Sequence, residues 1–392
     1  MGTELYTRRY LALWVTHFCF MLALGLFYLF PIFLKNNGAD RTDVGLIMGT
    51  LALAAVLARP LTTWLIDRLG RKKTIYLGAG LFFITPLSYL AFEGPVNEYY
   101  WALLGVRMVH GIGLSLCLTT PFAWVSDLVP AGRINEGLGI FGVSGLISMA
   151  LGPALGELII NQAGFDLLYL SASALEVVPI LVIRNVPDAG ACPEEREQDG
   201  RDSFFKILFR RDIRPIVVVA LLFGIAVAST FNFVTLHAAQ QKIGVISIFF
   251  IAFSGAAILT RVFGGRLADR VGEEKIIPVA LIISIVGLLG LAPAHNTFHF
   301  LLSGLTVGLA HGFLFPGLTA VVVRNKPYSI RPKMIAIFTG AVDGGIFAGS
   351  LILGRIGQNW GFGAIYLAAA LATAAALAVF WAYPGRVETS AN

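Results

Sequence analysis

Charge is scarce in this chain. Only 13% of its 392 residues are Asp, Glu, Lys or Arg, and 57% are apolar. A soluble domain carries about 25% charge, and no water-soluble fold of this size could hide so much apolar surface. Mean hydropathy is +0.78, so the expected solvent is a lipid bilayer. Cysteine is nearly absent: Cys19, Cys117 and Cys192 have no metal-ligand spacing, and two lie in apolar runs, which argues against a disulfide framework or a thiolate metal site. No G-x-x-x-x-G-K-S/T loop occurs, which argues against ATP-driven transport. Nor does the sequence offer a metal cluster or a nucleophile–base constellation, so it does not read as an enzyme. There is no folded soluble domain to suggest a receptor. The first apolar run, from about Leu11 to Leu34, is too long for a secretory signal and lacks a clear cleavage site, so it reads as a span. The net charge of +6 does not point to nucleic acid, because the basic residues fall in short loops between apolar runs.

The apolar residues form twelve segments, at 10–34, 42–66, 74–93, 98–124, 136–160 and 165–185, then 213–239, 245–267, 275–294, 297–323, 334–356 and 361–383. The runs are continuous rather than alternating, so they predict helices and not barrel strands. Span nine is the least clear, because it contains Pro278. Of the 29 Lys and Arg residues, 21 fall in segments on the side of the N-terminus, four in the opposite loops (Lys35, Arg41, Lys242, Arg355) and four inside spans (Arg59, Arg107, Arg261, Arg266). The positive-inside rule then places both termini in the cytoplasm, with the chain multi-pass in the cytoplasmic (inner) membrane. The longest polar stretch separates spans six and seven. It divides the chain into an N-terminal six-helix bundle (1–185), a cytoplasmic linker (186–212) and a C-terminal six-helix bundle (213–392). An amphipathic piece near Phe204 to Phe209 is expected to lie on the membrane surface.

The halves repeat one another. "WLIDRLGRKK" at 64–73 returns as "RLADRVGEEK" at 266–275, with Asp67 and Asp269, Arg68 and Arg270, Gly70 and Gly272, Lys73 and Lys275, and also Arg59 and Arg261, all 202 residues apart. His110-Gly111 in span four is echoed by His311-Gly312 in span ten, and "GIFGVSGLISMALG" in span five by "AIFTGAVDGGIFAG" in span eleven. The expected fold is therefore an all-α integral membrane protein, with twelve transmembrane helices in two pseudo-symmetric six-helix bundles. Parallel halves of this kind are the build of a rocking transporter, with its site between them near the midplane. In each repeated turn, glycine permits a tight reversal. The aspartate can accept hydrogen bonds from a helix N-terminus or pair with an arginine, contacts that would form in one conformation and break in the other.

These residues resemble the major facilitator superfamily over essentially the whole chain. Its loop motif has the form G-x-x-x-D-R-x-G-R-K/R. Asp67, Arg68, Gly70, Arg71 and Lys72 match it, with Thr63 in place of the first glycine; Gly265, Asp269, Arg270 and Gly272 match in the second copy, where Glu273 and Glu274 replace the basic pair. The resemblance implies a major facilitator fold and a conformational latch at Asp67, Arg68, Gly70, Arg71, Asp269, Arg270 and Gly272. "RMVHGIG" in span four resembles the family's R-x-x-Q-G-x-G, with His110 in place of glutamine. "GLISMALGPALGE" in span five resembles the antiporter motif of proton-coupled drug and metabolite exporters. The stretch opens on Gly145; Gly152, Pro153 and Gly156 match the motif, and Glu157 stands in place of its last glycine. Small residues there are expected to let span five approach a helix of the other half, with proline bending it. The P-E-S-P-R-like motif of the sugar branch is missing after span six.

Coupling needs a group that is charged in one state and neutral in the other. The candidates are Asp343, Glu176, Glu157, His110 and His311. Asp343 leads, because glycines surround it in "VDGGIFAG". Arg107, about nine residues into span four, is costly in lipid and needs a partner or a task, either tuning a proton site or holding an anionic solute. In the superfamily, spans one, four, seven and ten usually line the cavity. The resemblance so adds His17, Phe20, Phe27 and Tyr28 of span one and Phe231, Asn232 and His237 of span seven as wall residues. The expected partners are a small-molecule substrate, protons and the bilayer, with no cofactor, metal or nucleic acid, and the chain is expected to act as a monomer. Two transport readings remain open: proton-coupled efflux of a small amphipathic molecule or metabolite, and proton-coupled uptake of a small organic anion anchored by Arg107.

Overall fold

The computed structural model describes residues 6–129, 133–188, 213–323 and 331–382, apart from the side chains of 134–135, 265–269 and 331–332. Residues 189–212, which make up most of the expected linker, its Phe204–Phe209 piece and Cys192, lie outside the described residues, as does the side chain of Asp269. The described residues are overwhelmingly helical, and each of the twelve apolar segments falls largely on helix.

Span one is Arg8–Leu26, continued through a 3-10 turn into Phe30–Asn36. Spans two, three and four are Arg41–Leu69, Arg71–Ser88 and Val96–Leu128. Spans seven to ten are Arg214–Gln240, Ile248–Val271, Glu273–Leu291 and Thr297–Val323. Spans five and six share one helical run, Ile134–Leu175, extended by Val177–Arg184, and spans eleven and twelve share Arg331–Trp381. Nine described stretches are long and apolar enough to cross a membrane, and Glu136–Arg184 and Lys333–Trp381, at 49 residues each, are the longest. A straight helix of that length would measure about 73 Å, more than twice the hydrocarbon thickness. Each therefore folds back on a glycine of positive φ: Gly164 at 76° and Gly361 at 84°. A Cβ on Gly156 would lie 3.1 Å from Leu168 Cδ1, and one on Gly357 would lie 2.9 Å from Ile365 Cγ1, contacts that only a reversal allows.

The repeated turn of the sequence is built the same way. Gly70 has φ 81° and Gly272 has φ 84°, and each is the hinge between consecutive helices. Only glycine adopts such angles without a Cβ penalty. At the other end of span two the chain starts on a capping box: the Asp40 carboxylate accepts from Asp43 N (2.8 Å) and the Asp43 carboxylate from Asp40 N (3.0 Å). Inside the spans many hydroxyls turn back onto their own helix, as Thr50 does to Leu46 O (2.7 Å) and Thr85 to Leu81 O (2.7 Å), which satisfies those donors within the span. Large apolar side chains point outward, with Phe263 and Leu371 each 72% exposed, as a lipid-facing surface requires.

Glycines set the packing within each half. A Cβ on Gly25 of span one would lie 3.1 Å from Gly152 Cα of span five, and a Cβ on Gly349 of span eleven 2.9 Å from Ile225 Cα of span seven. This corrects one expectation. Gly145, Gly152 and Gly156 bring span five against span one of its own half, and it is Gly142 of the same span that lies against the other half, beside Arg261. Gly145 lies by His17 and Met21, Gly152 by Gly25, and Gly156 by Leu26, Leu29 and Leu168. The reason is helical period: positions i, i+7 and i+11 fall on one face, so the three glycines form a single stripe.

Candidate functional site

The halves meet along two seams, span two against span eleven and span five against span eight. Both run between the near end of the bundle, where span one begins and span twelve ends, and the far end.

At the far end of the first seam, span two sits directly on span eleven. A Cβ on Gly45 would lie 3.1 Å from Gly354 Cα, and one on Gly49 would lie 2.9 Å from Ser350 Cβ. Arg41 clamps this end. Its guanidinium donates to Gly357 O (3.1 Å) and Gln240 Oε1 (2.9 Å) and stacks on Phe362 at 4.5 Å, while its backbone N donates to Gln358 Oε1 (3.2 Å). The far end of the second seam is held by Glu157. Its carboxylate accepts from Ile246 N (2.7 Å), Ser247 N (2.9 Å) and Ser247 Oγ (2.7 Å), capping the start of span eight. A carboxylate is well placed at the positive end of a helix dipole. Between the seams Tyr28 stacks on Phe231 and Phe250, each at 5.2 Å between ring centroids, and its carbonyl accepts from Thr235 Oγ1 (2.8 Å).

Towards the near end, the first seam is bridged by charge. Arg59 of span two forms an ion pair with Asp343 of span eleven and also donates to the Thr339 hydroxyl. Arg59 lies ten residues from the end of its helix, about 15 Å deep. At the same depth on the second seam, Arg261 of span eight lies beside Gly142 of span five, 2.9 Å from where a Cβ would sit. The repeat relates the two seams. Spans two and eight differ by 202 residues, and the echoed stretches of spans five and eleven by 197. Arg59 thus corresponds to Arg261, Thr339 to Gly142, Asp343 to Leu146, Gly45 to Ser247 and Gly354 to Glu157. These corresponding residues bear one carboxylate per seam, at opposite ends: Asp343 on the first and Glu157 on the second.

The other expected site residues sort by half. In the N-terminal half, Arg107 is 1% exposed and turned into the bundle. Its Nε donates to Ile47 O (3.2 Å), its Nη2 approaches Met48 Sδ (3.5 Å), and the guanidinium lies 5.4 Å from the Phe30 ring centre. His110 sits among Phe27, Phe82 and Tyr89, with Nδ1 3.4 Å from the Tyr89 hydroxyl. Phe20 packs on Phe82, and His17 bonds Ser144 Oγ at 2.6 Å. Glu176 is fully buried at the break between Ile134–Leu175 and Val177–Arg184, and neither carboxylate oxygen has a partner among the described residues. In the C-terminal half, His237 lies against Phe300, Phe362 and Tyr366, His311 against Phe223, Phe253 and Phe315, and Asn232 donates to Ser350 Oγ (2.6 Å). Of the expected wall residues, only Tyr28 and Phe231 stack on one another across the halves.

The expected latch residues surround the first turn. Arg71 pairs with Asp127 at the end of span four, in the same half, and Lys72 donates to Arg184 O (2.7 Å) and Val186 O (3.1 Å). Arg68 stacks on Trp64 at 5.5 Å, and Asp67 is itself engaged by a neighbouring group. In the second copy Arg270 is exposed at the end of span eight. The partnership of Arg59 with Asp343 was not read from the sequence. Its signal was two opposite intramembrane charges, which lipid forces to find partners.

Comparison with known proteins agrees with this arrangement. The sequence profile described as Major Facilitator Superfamily matches residues 13–292 and 240–392. A curated relative, the multidrug resistance protein MdtG of Enterobacter lignolyticus (strain SCF1), is 24% identical over 357 residues, covering 87% of this chain and 83% of that protein. Among solved structures, the nucleoside transporter NupG superposes with a TM-score of 0.74 at 16% identity, over 96% of this chain and 99% of that one. A D-xylose–proton symporter does so with a TM-score of 0.70 at 16% identity, over 93% and 95%.

Proposed function

The chain belongs to the major facilitator superfamily, and on that premise we propose that it exports small amphipathic organic molecules across the cytoplasmic membrane in exchange for protons. It is a multi-pass membrane transporter, not an enzyme. The observation that carries the exchange reading is the Arg59–Asp343 ion pair across the first seam. A proton delivered to Asp343 removes one of the two charges that hold spans two and eleven together. Releasing that proton restores the pair. The far-end contacts at Arg41, Gly45 and Glu157 are the opposing gate, and the halves 1–185 and 213–392 rock between the two. Export is supported by the multidrug relative and by the span-five motif, and an aromatic pair such as Tyr28–Phe231 suits an apolar solute.

The near end faces the cytoplasm in this reading, because the basic residues concentrate there. A tag at either terminus is then reached only from the cytoplasmic side, and labelling a tag on intact cells contradicts the orientation.

The deciding experiment uses proteoliposomes and a panel of amphipathic dyes and nucleosides, with the pH gradient imposed in either direction. Antiport is expected: solute moves against the proton flow and the lumen changes pH in step. Solute and protons moving the same way make the protein an uptake symporter, and movement indifferent to the gradient removes proton coupling.

A further inference from the structure

We infer that Arg261 is the docking point for an anionic group on the transported solute, a carboxylate carried by an amphipathic aromatic molecule. The inference deepens the export reading and rests on it for the solute's passage between the halves.

The argument begins with broken symmetry. Arg59 and Arg261 occupy corresponding places on the two seams, but among the described residues only Arg59 has a carboxylate opposite. The residue corresponding to Asp343 is Leu146, one helical turn along span five from Gly142, which lies against Arg261. The residue corresponding to Thr339, which also accepts from Arg59, is Gly142 itself. Span five thus lacks both acceptors that span eleven provides. Arg261 Nε is buried with no partner among the described residues.

Energetics make this meaningful. An arginine near the middle of a membrane is costly even on the most lenient scale, and such residues are kept where they pair or line a path. Arg261 lies ten residues from the end of span eight, about 15 Å deep. Gly142, with no side chain, lets the guanidinium pack directly on span five, where an acceptor side chain would otherwise meet it. The guanidinium fork matches a carboxylate in two parallel hydrogen bonds. His311, within electrostatic reach, packs among Phe223, Phe253 and Phe315, so the guanidinium borders an aromatic cluster of spans seven, eight and ten. The second seam is so built as half an ion pair, and the solute completes it.

The test is calorimetric titration of the purified full-length protein with 1-naphthylacetate and its neutral isostere 1-naphthylacetamide. The wild type should bind the carboxylate at least about tenfold more tightly, the scale of a charged hydrogen bond. Arg261→Gln should remove that preference and leave amide binding unchanged, and Arg261→Lys should restore part of it. Leu146→Asp supplies the missing carboxylate from span five and should also abolish the preference with Arg261 intact, which decides the matter if Arg261→Gln fails to fold. Equal affinities for the two probes, no saturable carboxylate binding, or a preference that survives both Arg261→Gln and Leu146→Asp overturns the inference. So does equal Arg261-dependent stabilisation by sodium chloride at the same ionic strength, which would make the occupant a simple counter-ion. Gradient-driven export of neutral or cationic dyes that persists in Arg261→Gln, with no carboxylate preference in the wild type, sinks this inference and leaves export standing. Arg261-dependent carboxylate binding without any antiport does the reverse.

Discussion

Asp343→Asn should abolish solute movement driven by a pH gradient while leaving solute binding intact. The variant keeps the volume of the side chain and mimics its protonated form, so spans two and eleven still fit. What it removes is the charge that holds Arg59. Leaving that arginine unpaired costs about 3 kcal/mol on the lenient scale, or about a hundredfold in the equilibrium between the joined and parted seam. A proton can no longer shift that equilibrium through this pair, because its carboxyl is gone. Downhill exchange should persist, because it needs the halves to rock but not the proton to drive them. Adding Arg59→Gln should relieve the uncompensated charge and restore protein yield without restoring coupling. Gradient-driven transport at the wild-type rate in Asp343→Asn moves the proton site elsewhere, first to the buried Glu176, then to Glu157 or a histidine.

A second large effect is expected at Gly45, where nothing titrates and only shape matters. A Cβ there would overlap the Ser350 carbonyl and lie 3.1 Å from Gly354 Cα, both backbone, so neither can swing away. Gly45→Val should hold the far ends of spans two and eleven apart. Overpacking costs about 1–3 kcal/mol, enough to shift the far-end-closed state about 5- to 150-fold. Transport should fall to background in a protein that still folds, since each half packs without this contact. Spin labels at positions 101 and 360, whose tryptophans are 81% and 71% exposed at the far end of opposite halves, report the change as a longer distance. Gly80→Val is the control, because a Cβ there meets nothing within 4 Å. An unchanged distance together with normal transport in Gly45→Val would show that this contact does not form part of the gate.

Much was legible in the sequence because the bilayer leaves few choices. Scarce charge and long apolar runs gave the class, since backbone groups in lipid must be satisfied within helices. The 202-residue echo of Arg59, Asp67 and Gly70 gave the duplication. Gly70 and Gly272 were expected at tight reversals and have positive φ in both copies. The buried acids and Arg107 stood out as costly; Asp343, Glu157 and Arg107 each have a partner, and Glu176 has none for its carboxylate oxygens among the described residues.

The sequence was silent on which face of each helix meets which neighbour. In water the polar stripe of a helix marks its outside. In a membrane the outside is as apolar as the core, so periodicity loses that meaning. The sequence by itself therefore determined how many apolar segments there are, where they turn, and which residues cannot lie idle in lipid. Only the tertiary structure decided that Arg107 turns into its own bundle, that Gly152 meets Gly25 and not the other half, that Asp343 meets Arg59, and that Glu157 caps span eight. Those choices depend on how the helices rotate and cross, which local composition cannot encode when every face is greasy.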